Sequence, residues 1–210
     1  MRGPYPYLKR GLDVLLSAIL LCLGLLPMGI IALLIAANSA GGVIFRQQRI
    51  GREGRPFVCY KFRTMVAEAP EDRPTGAFPE AERYVTAVGR LLRKSSLDEL
   101  PQLWNVLRGD MSLVGPRPLI PAEEEVHRLR ERCGVYRIRP GMTGLSQIRG
   151  RDLLSDAEKA RWDSRYAHSV SLPFDCRILW ETALRVATGR DVSSCRSSRK
   201  ARIEKEPTRE

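Results

Sequence analysis

Between residues 14 and 45 the chain carries no charged side chain, and that stretch limits what the rest can become. As a helix its 14–37 core would rise about 36 Å at roughly 1.5 Å per residue, enough to cross a hydrocarbon layer of about 30 Å. Pro27 lies in the middle, where its ring removes a backbone hydrogen bond and crowds the preceding turn, so a kink is expected there. Basic residues flank both ends, Arg2, Lys9 and Arg10 before it and Arg46, Arg49, Arg52 and Arg55 after it. Positive residues favour the cytoplasmic face. If both flanks obey that preference, the segment enters and returns by one face and turns at Pro27, as a re-entrant helix-break-helix hairpin. A single-pass span is opposed by the charges on both sides. A cleaved signal peptide would use Lys9-Arg10 and a small-residue site at Ala37-Asn38-Ser39, but the apolar stretch exceeds the usual length of about 7–15 residues and arginines follow it.

What remains is the size of one ordinary domain. The expected division is an anchor over residues 1–42, a cytoplasmic domain over 43–190 and a basic disordered tail over 191–210, where apolar content nearly vanishes. Thirty-five Lys and Arg against 24 Asp and Glu leave a charge of +11. That suits an anionic partner: phospholipid headgroups, nucleotide phosphates or nucleic acid. The five cysteines (Cys22, Cys59, Cys133, Cys176, Cys195) are scattered and odd in number, with no zinc or redox spacing, which fits a reducing compartment. His127 and His168 stand too far apart for a His-pair metal motif, and no GxSxG context is present, so zinc and serine hydrolase chemistry are disfavoured.

The fold class expected is α/β of the α+β kind: the membrane hairpin, a compact and mostly helical cytoplasmic domain, and a small β-hairpin. Val43-Ile44-Phe45 and Phe57-Val58-Cys59-Tyr60-Lys61-Phe62 are β-prone runs separated by the turn residues Gly51-Arg52-Glu53-Gly54-Arg55-Pro56. Residues 67–81 are rich in Pro, Gly and acids without periodicity and read as a loop. Apolar spacing predicts helices over residues 84–92, 100–107, 122–133, 153–168 and 175–187.

Two adjacent carboxylates, Asp98 and Glu99, follow the basic pair Arg93-Lys94 at the expected start of a helix. Ser96 and Glu99 have the spacing of a capping box, and acids in a first turn oppose the helix dipole. The same place can host a phosphate group, and a carboxylate facing it can attack phosphorus or hold its metal. Magnesium fits, since one or two carboxylates together with phosphate oxygens are its usual ligands. Basic residues recur in rigid turns: Lys61-Phe62-Arg63-Thr64-Met65, Gly115-Pro116-Arg117-Pro118-Leu119, and Arg137-Ile138-Arg139-Pro140-Gly141-Met142-Thr143-Gly144. Prolines on both sides of Arg117 lower the entropy its guanidinium loses on gripping an anion. The plainer reading makes each a turn with a solvated charge.

Taken in order, these stretches resemble the bacterial sugar transferases, also called monotopic phosphoglycosyl transferases, over nearly the full length to about Asp191. They are Lys9-Arg10 with Asp13, Phe45-Arg46-Gln47-Gln48-Arg49-Ile50-Gly51, Lys61-Phe62-Arg63-Thr64-Met65, Ser96-Leu97-Asp98-Glu99-Leu100-Pro101-Gln102-Leu103, the run from Gly109-Asp110-Met111 to Leu119, and Arg139-Pro140-Gly141-Met142-Thr143-Gly144-Leu145. The chain resembles the small, minimal catalytic form. It departs from the family at Leu26, where members often carry Ser before the proline, and at Ser39-Ala40-Gly41-Gly42.

The resemblance implies a catalytic dyad of Asp98 and Glu99, with Asp98 as nucleophile and metal ligand, and a UDP-sugar bound with Mg²⁺. Asp98 would attack the sugar-bearing phosphate, expel UMP and pass the phosphosugar to polyprenyl (undecaprenyl) phosphate, in ping-pong fashion. Glu99 assists. Arg93, Arg117, Lys61, Arg63, Arg139 and Arg151 would neutralise phosphate oxygens, and Asp163 and Asp175 would line the site. The implied location is the bacterial inner membrane, with the catalytic domain on its cytoplasmic face, among membrane lipids; a homodimer or downstream glycosyltransferases are further partners the resemblance allows. A membrane-anchored scaffold would explain the charge and the anchor but not the carboxylate pair. Nucleic acid is not an expected partner, because no recognised motif or stacking platform interleaves with the basic residues.

Overall fold

The computed structural model describes residues 5–70, 79–150 and 153–188. Arg151 and the expected tail at 191–210 lie outside them. The chain opens with α1, Tyr5–Asn38, a 34-residue helix that contains Pro27. Helical backbone continues through the proline, where the sequence led us to expect a break between two helices. A proline removes its own N–H bond only, and the Leu- and Ala-rich turns on either side are strong helix formers. The helix is long and apolar enough to cross a membrane.

One row of α1 lies along the rest of the protein. Asp13, Ser17, Ile31 and Ile35 are buried, Leu21 packs on the larger apolar core, and Met28 and Ala32 join Ile31 and Ile35 against Phe62 and Leu92 in a smaller one. The row advances in steps of three, four or seven, the spacing that keeps side chains on one helix face. The outward face is bare, with Leu23, Leu26 and Leu33 each more than 70% exposed at 73%, 76% and 73%. In water each would forgo about 1.5–3 kcal/mol of transfer free energy.

Both ends of the helix are fastened by polar contacts. Asp175 accepts hydrogen bonds from Tyr5 Oη at 2.7 Å, Lys9 Nζ at 2.6 Å and Tyr166 Oη at 2.6 Å. Arg10 donates to the carbonyls of Val106 and Leu107, and the Leu113 N–H donates to Asp13. Beyond the far end, the Arg63 guanidinium donates to the carbonyls of Ser39 and Ala40. Gly41 has a φ of +109°, and a Cβ there would collide with Arg63 Nη1.

Strands β1 (Ile44–Ile50) and β2 (Pro56–Phe62) form an antiparallel hairpin, Ile44 opposite Phe62 and Ile50 opposite Pro56. Glu53 and Gly54 in the turn adopt positive φ. Two helices follow, α2 (Ala87–Ser95) and α3 (Gln102–Arg108). Thr86 caps α2 by accepting from the Gly89 N–H, so the helix starts later than its apolar spacing predicts, and Val85 instead bridges to Met65. From α3 the buried Asn105 side chain donates to Val58 O at 2.7 Å and accepts from Tyr60 N at 3.1 Å. Its amide takes the place of a neighbouring strand on the β2 edge.

Two three-residue strands, β3 (Ser112–Val114) and β4 (Gly141–Thr143), pair in parallel. They are too short to show a period of two in the sequence. Gly115, Gly141 and Gly144 interlock at this crossing: a Cβ on Gly141 or Gly144 would lie 2.0 Å from backbone atoms of Gly115. The remaining helices are α4 (Glu124–Arg132), α5 (Leu145–Arg149), α6 (Asp156–His168) and α7 (Leu172–Thr188). Their inner faces bring Leu145, Ile148, Tyr166 and Ile178 into the core with Leu103, Val106 and Met111. The architecture is therefore mixed and mostly helical, with a small β portion and one long apolar N-terminal helix.

Because Asp175, on α7, accepts from donors on α1 and α6, removing its charge leaves Lys9 unpaired at 15% exposure. Asp175→Ala is expected to lower stability by about 3–5 kcal/mol, read as a fall in the thermal unfolding midpoint of the detergent-solubilised chain.

Candidate active site

The carboxylate pair sits on a single 3-10 turn, Leu97–Glu99, between α2 and α3. Ser96 ends α2 in the left-handed region, φ 58°, a conformation that costs a non-glycine residue roughly 1–2 kcal/mol. It turns the chain so that the next residues lie against β2. The capping box expected from Ser96 and Glu99 is absent, for Ser96 makes no side-chain cap. Glu99 is taken by stronger partners: its Oε1 lies 2.7 Å from Lys61 Nζ and 3.6 Å from Arg117 Nη1. The side chains of Lys61, Glu99 and Arg117 are 19%, 13% and 26% exposed, so the group is shielded but open to a ligand.

Arg93, from the last turn of α2, donates Nε to Thr64 Oγ1 at 2.8 Å. Its approach requires Gly89, where a Cβ would fall 2.0 Å from the Thr64 carbonyl oxygen. Burial holds the Arg93 guanidinium below its ordinary pKa, and the charge of Asp98 opposes that shift, which places Asp98 in the field of Arg93. The structure thus gathers Asp98, Glu99, Lys61, Arg93 and Arg117 around one turn.

A further cation joins them. Arg49 points inward from β1, donates Nη1 to Pro118 O at 3.0 Å, and feels both Arg117 and Glu99. Burial first, and the Arg117 charge second, push its pKa down to about 10. The alternation of β1 could have revealed it, since Phe45, Gln47 and Arg49 share the less exposed face while Ile44, Arg46 and Gln48 are exposed. Burial also raises the Cys59 thiol, against the opposing charges of Lys61 and Arg49.

The other residues named from the sequence are committed elsewhere. Arg63 holds the end of α1. Arg139 donates to Gly109 O at 2.8 Å and, with Arg10, covers carbonyls at the C-terminal end of α3; its pKa is lowered by burial, then by Arg10 and Arg52. Asp175 fastens α1. Asp163, expected to line the site, is fully buried and bound by Arg130 and by Ser146 Oγ. A fully buried carboxylate needs such partners, because desolvation of an unpaired charge is prohibitive.

Among the described residues no three His, Cys, Asp or Glu side chains gather as a ready cage for a metal. A magnesium ion does not need one, being commonly held by one or two carboxylates and otherwise by water and substrate phosphate. Asp98 and Glu99 are hard oxygen donors of that kind. Chemically, the arrangement offers a carboxylate beside a set of partly desolvated cations, which suits a polyanionic ligand and attack on phosphorus.

The chain is similar to known proteins along most of its length. A family profile described as bacterial sugar transferase matches residues 5–189. The UDP-galactose-lipid carrier transferase of Erwinia amylovora is 40% identical over 190 residues, 84% of this chain and 39% of that protein. The UDP-glucose:undecaprenyl-phosphate glucose-1-phosphate transferase of Caulobacter vibrioides is 48% identical over 158 residues, 70% of this chain and 58% of the relative. The exopolysaccharide production protein ExoY of Sinorhizobium fredii is 39% identical over 199 residues, 87% of this chain and 86% of that protein. The chain therefore spans well under half of the Erwinia relative but most of ExoY.

The Lys61–Glu99 pair should be coupled in stability. Lys61→Met and Glu99→Gln, alone and combined, are expected to show an interaction energy of about 1–3 kcal/mol in chemical unfolding. Strict additivity would place the pair's attraction at zero.

Proposed function

The chain belongs to the bacterial sugar transferase family, and on that premise we propose that it is a UDP-sugar:undecaprenyl-phosphate sugar-1-phosphate transferase. The observation that carries the reading is the adjacent carboxylate pair with Glu99 between Lys61 and Arg117 and Asp98 beside Arg93. Names of relatives that act on UDP-glucose or undecaprenyl phosphate support the substrate class.

In this reading an Asp98 carboxylate oxygen attacks the sugar-bearing phosphorus of a UDP-sugar. A P–O bond to that oxygen forms as the bond to the leaving UMP oxygen breaks. A phosphate oxygen of the polyprenyl acceptor then attacks the same phosphorus, the bond to Asp98 breaks, and the carboxylate is restored. Splitting the transfer in two spares two mutually repelling phosphates from meeting directly. Lys61, Arg93 and Arg117 balance charge that moves onto the leaving oxygen, where preorganised donors act most strongly. Glu99, fixed by its cations, positions Lys61 and Arg117 about the phosphates. Magnesium, held by Asp98 and substrate phosphate oxygens, would add positive charge at the diphosphate.

We further propose that α1 is a re-entrant anchor that bends at Pro27 within the lipid while its helical backbone continues, and that the domain works on the cytoplasmic face of the bacterial inner membrane. What supports this is the attachment of both ends of α1 to one domain, through Asp175 and Asp13 at one end and Arg63 at the other. A domain with a net positive charge suits the anionic cytoplasmic leaflet.

Detergent-solubilised protein mixed with UDP-glucose or UDP-galactose, undecaprenyl phosphate and Mg²⁺ is expected to release UMP. Asp98→Asn should lower that rate by about 10³-fold or more, and chelation by EDTA should abolish it until Mg²⁺ is restored. A fully active Asp98→Asn variant would remove the nucleophile. No UMP from either sugar, with a folded protein, would favour a scaffold. In intact cells an impermeant label should reach neither terminus; labelling of one terminus would return α1 to a simple span.

A further inference from the structure

Arg117 stands on a turn that is gripped from two sides. Arg49 of β1 donates to the carbonyl of Pro118, and the Ile50 N–H donates to Leu119 O at 2.9 Å. From the other side Arg130 of α4 donates Nη1 to the carbonyl of Arg117 itself at 2.8 Å. The rest of the Arg130 guanidinium faces Asp163 of α6, with Nε at 2.9 Å from Oδ2 and Nη2 on the same oxygen. The second oxygen, Oδ1, accepts from Ser146 Oγ of α5 at 2.7 Å. Arg130, Asp163 and Ser146 are 2%, 0% and 4% exposed, so the whole chain of contacts is dry.

Stability alone does not account for such a pair. A buried guanidinium and carboxylate contribute no more than well-packed apolar side chains of the same volume, because both ions must leave water. An apolar pair could not offer a donor at a fixed place. The peptide between Arg117 and Pro118 has no N–H, so its carbonyl oxygen is the one backbone handle by which that plane can be held. Pro118 already restricts Arg117 to extended backbone. Fixing the carbonyl sets the remaining rotation, and with it the direction in which the side chain leaves toward Glu99 at 3.6 Å.

We propose that Ser146, Asp163 and Arg130 form a buried positioning relay for Arg117, running from α5 through α6 and α4 to the phosphate-facing guanidinium. Arg130 and Asp163 touch no substrate. Their role is to hold the Arg117 carbonyl, and the inference rests on the reading of Arg117 as a phosphate-binding residue.

The informative variant is Arg130→Lys, which keeps a positive charge beside Asp163 but lacks the planar fork that reaches two acceptors at once. UMP release is measured with purified full-length wild type, Arg130→Lys, Arg117→Ala and the double variant, using whichever of UDP-glucose and UDP-galactose the wild type turns over. Arg130→Lys is expected to unfold near the wild-type temperature and to raise KM for the UDP-sugar by about 10-fold, with a smaller effect on kcat. In the Arg117→Ala background it should add less than about 2-fold. Equal losses in both backgrounds, or wild-type kinetics for Arg130→Lys when Arg117→Ala is impaired, would overturn the relay. Should Arg130→Lys fail to fold, Ser146→Ala enters the same cycle, with an expected KM increase of about 3-fold that vanishes without the Arg117 side chain. Unimpaired turnover by Arg117→Ala would instead overturn the phosphate-binding reading beneath the inference.

Discussion

An apolar helix that water does not tolerate is bound along its length to a basic domain that hydrocarbon does not tolerate, and the placement of every other element follows from that attachment. The outward leucines of α1 are bare of protein contact, while Lys9, Arg10 and Asp13 at one end and the Ser39 and Ala40 carbonyls at the other are held by protein groups. Neither part can move away from the other without stripping partners from buried charges. The strand that follows begins at Ile44, two residues after Gly42, so the hairpin, and the Leu97–Glu99 turn packed against β2, take their position from α1.

The same economy governs the charge around the dyad. Lys61, Arg49, Arg93 and Arg117 are all partly withdrawn from water, with Asp98 and Glu99 against them at the turn and Glu82 and Glu123 acting on Arg93 and Arg49 from further off. Burial lowers the guanidinium pKa at both Arg49 and Arg93, and at Arg49 the neighbouring Arg117 charge adds to it. An anionic ligand at the turn would ease the cost of holding these cations out of water. Preorganisation of this sort is costly without ligand and useful with it.

Much of this was legible before any coordinates. An uncharged run of residues 14–45 announces α1, a Gly- and Pro-bearing turn between β-prone runs announces the hairpin, and motif order points to Asp98 and Glu99. What misled was competition between partners. Ser96-Leu97-Asp98-Glu99 has the spacing of a capping box, but a lysine from β2 reaches Glu99 first; Ser155 and Glu158, with the same spacing, form the box because no such cation intervenes. Arg130 was hidden for another reason. The run Glu124-Glu125-Val126-His127-Arg128-Leu129-Arg130 reads as a solvated helix, and Arg128 indeed pairs at the surface with Glu125. Only tertiary packing distinguishes its neighbour two residues on, which meets Asp163 thirty-three positions away. Asp163 and Asp175 were expected to line the site, and both are instead buried and held by protein donors.

The interlocked glycines at the β3–β4 crossing carry a lesson about variation. Each of Gly115, Gly141 and Gly144 lacks room for even a methyl group: Gly115 blocks the other two, and the Arg139 carbonyl with Gly141 N blocks Gly115. A lineage cannot explore this crossing by single steps, since any one change obliges its neighbours to move. The turn bearing Arg117 grows out of Gly115, so its starting point is set by contact of backbone against backbone. Side chains at this crossing can be altered only where they leave those backbone contacts in place.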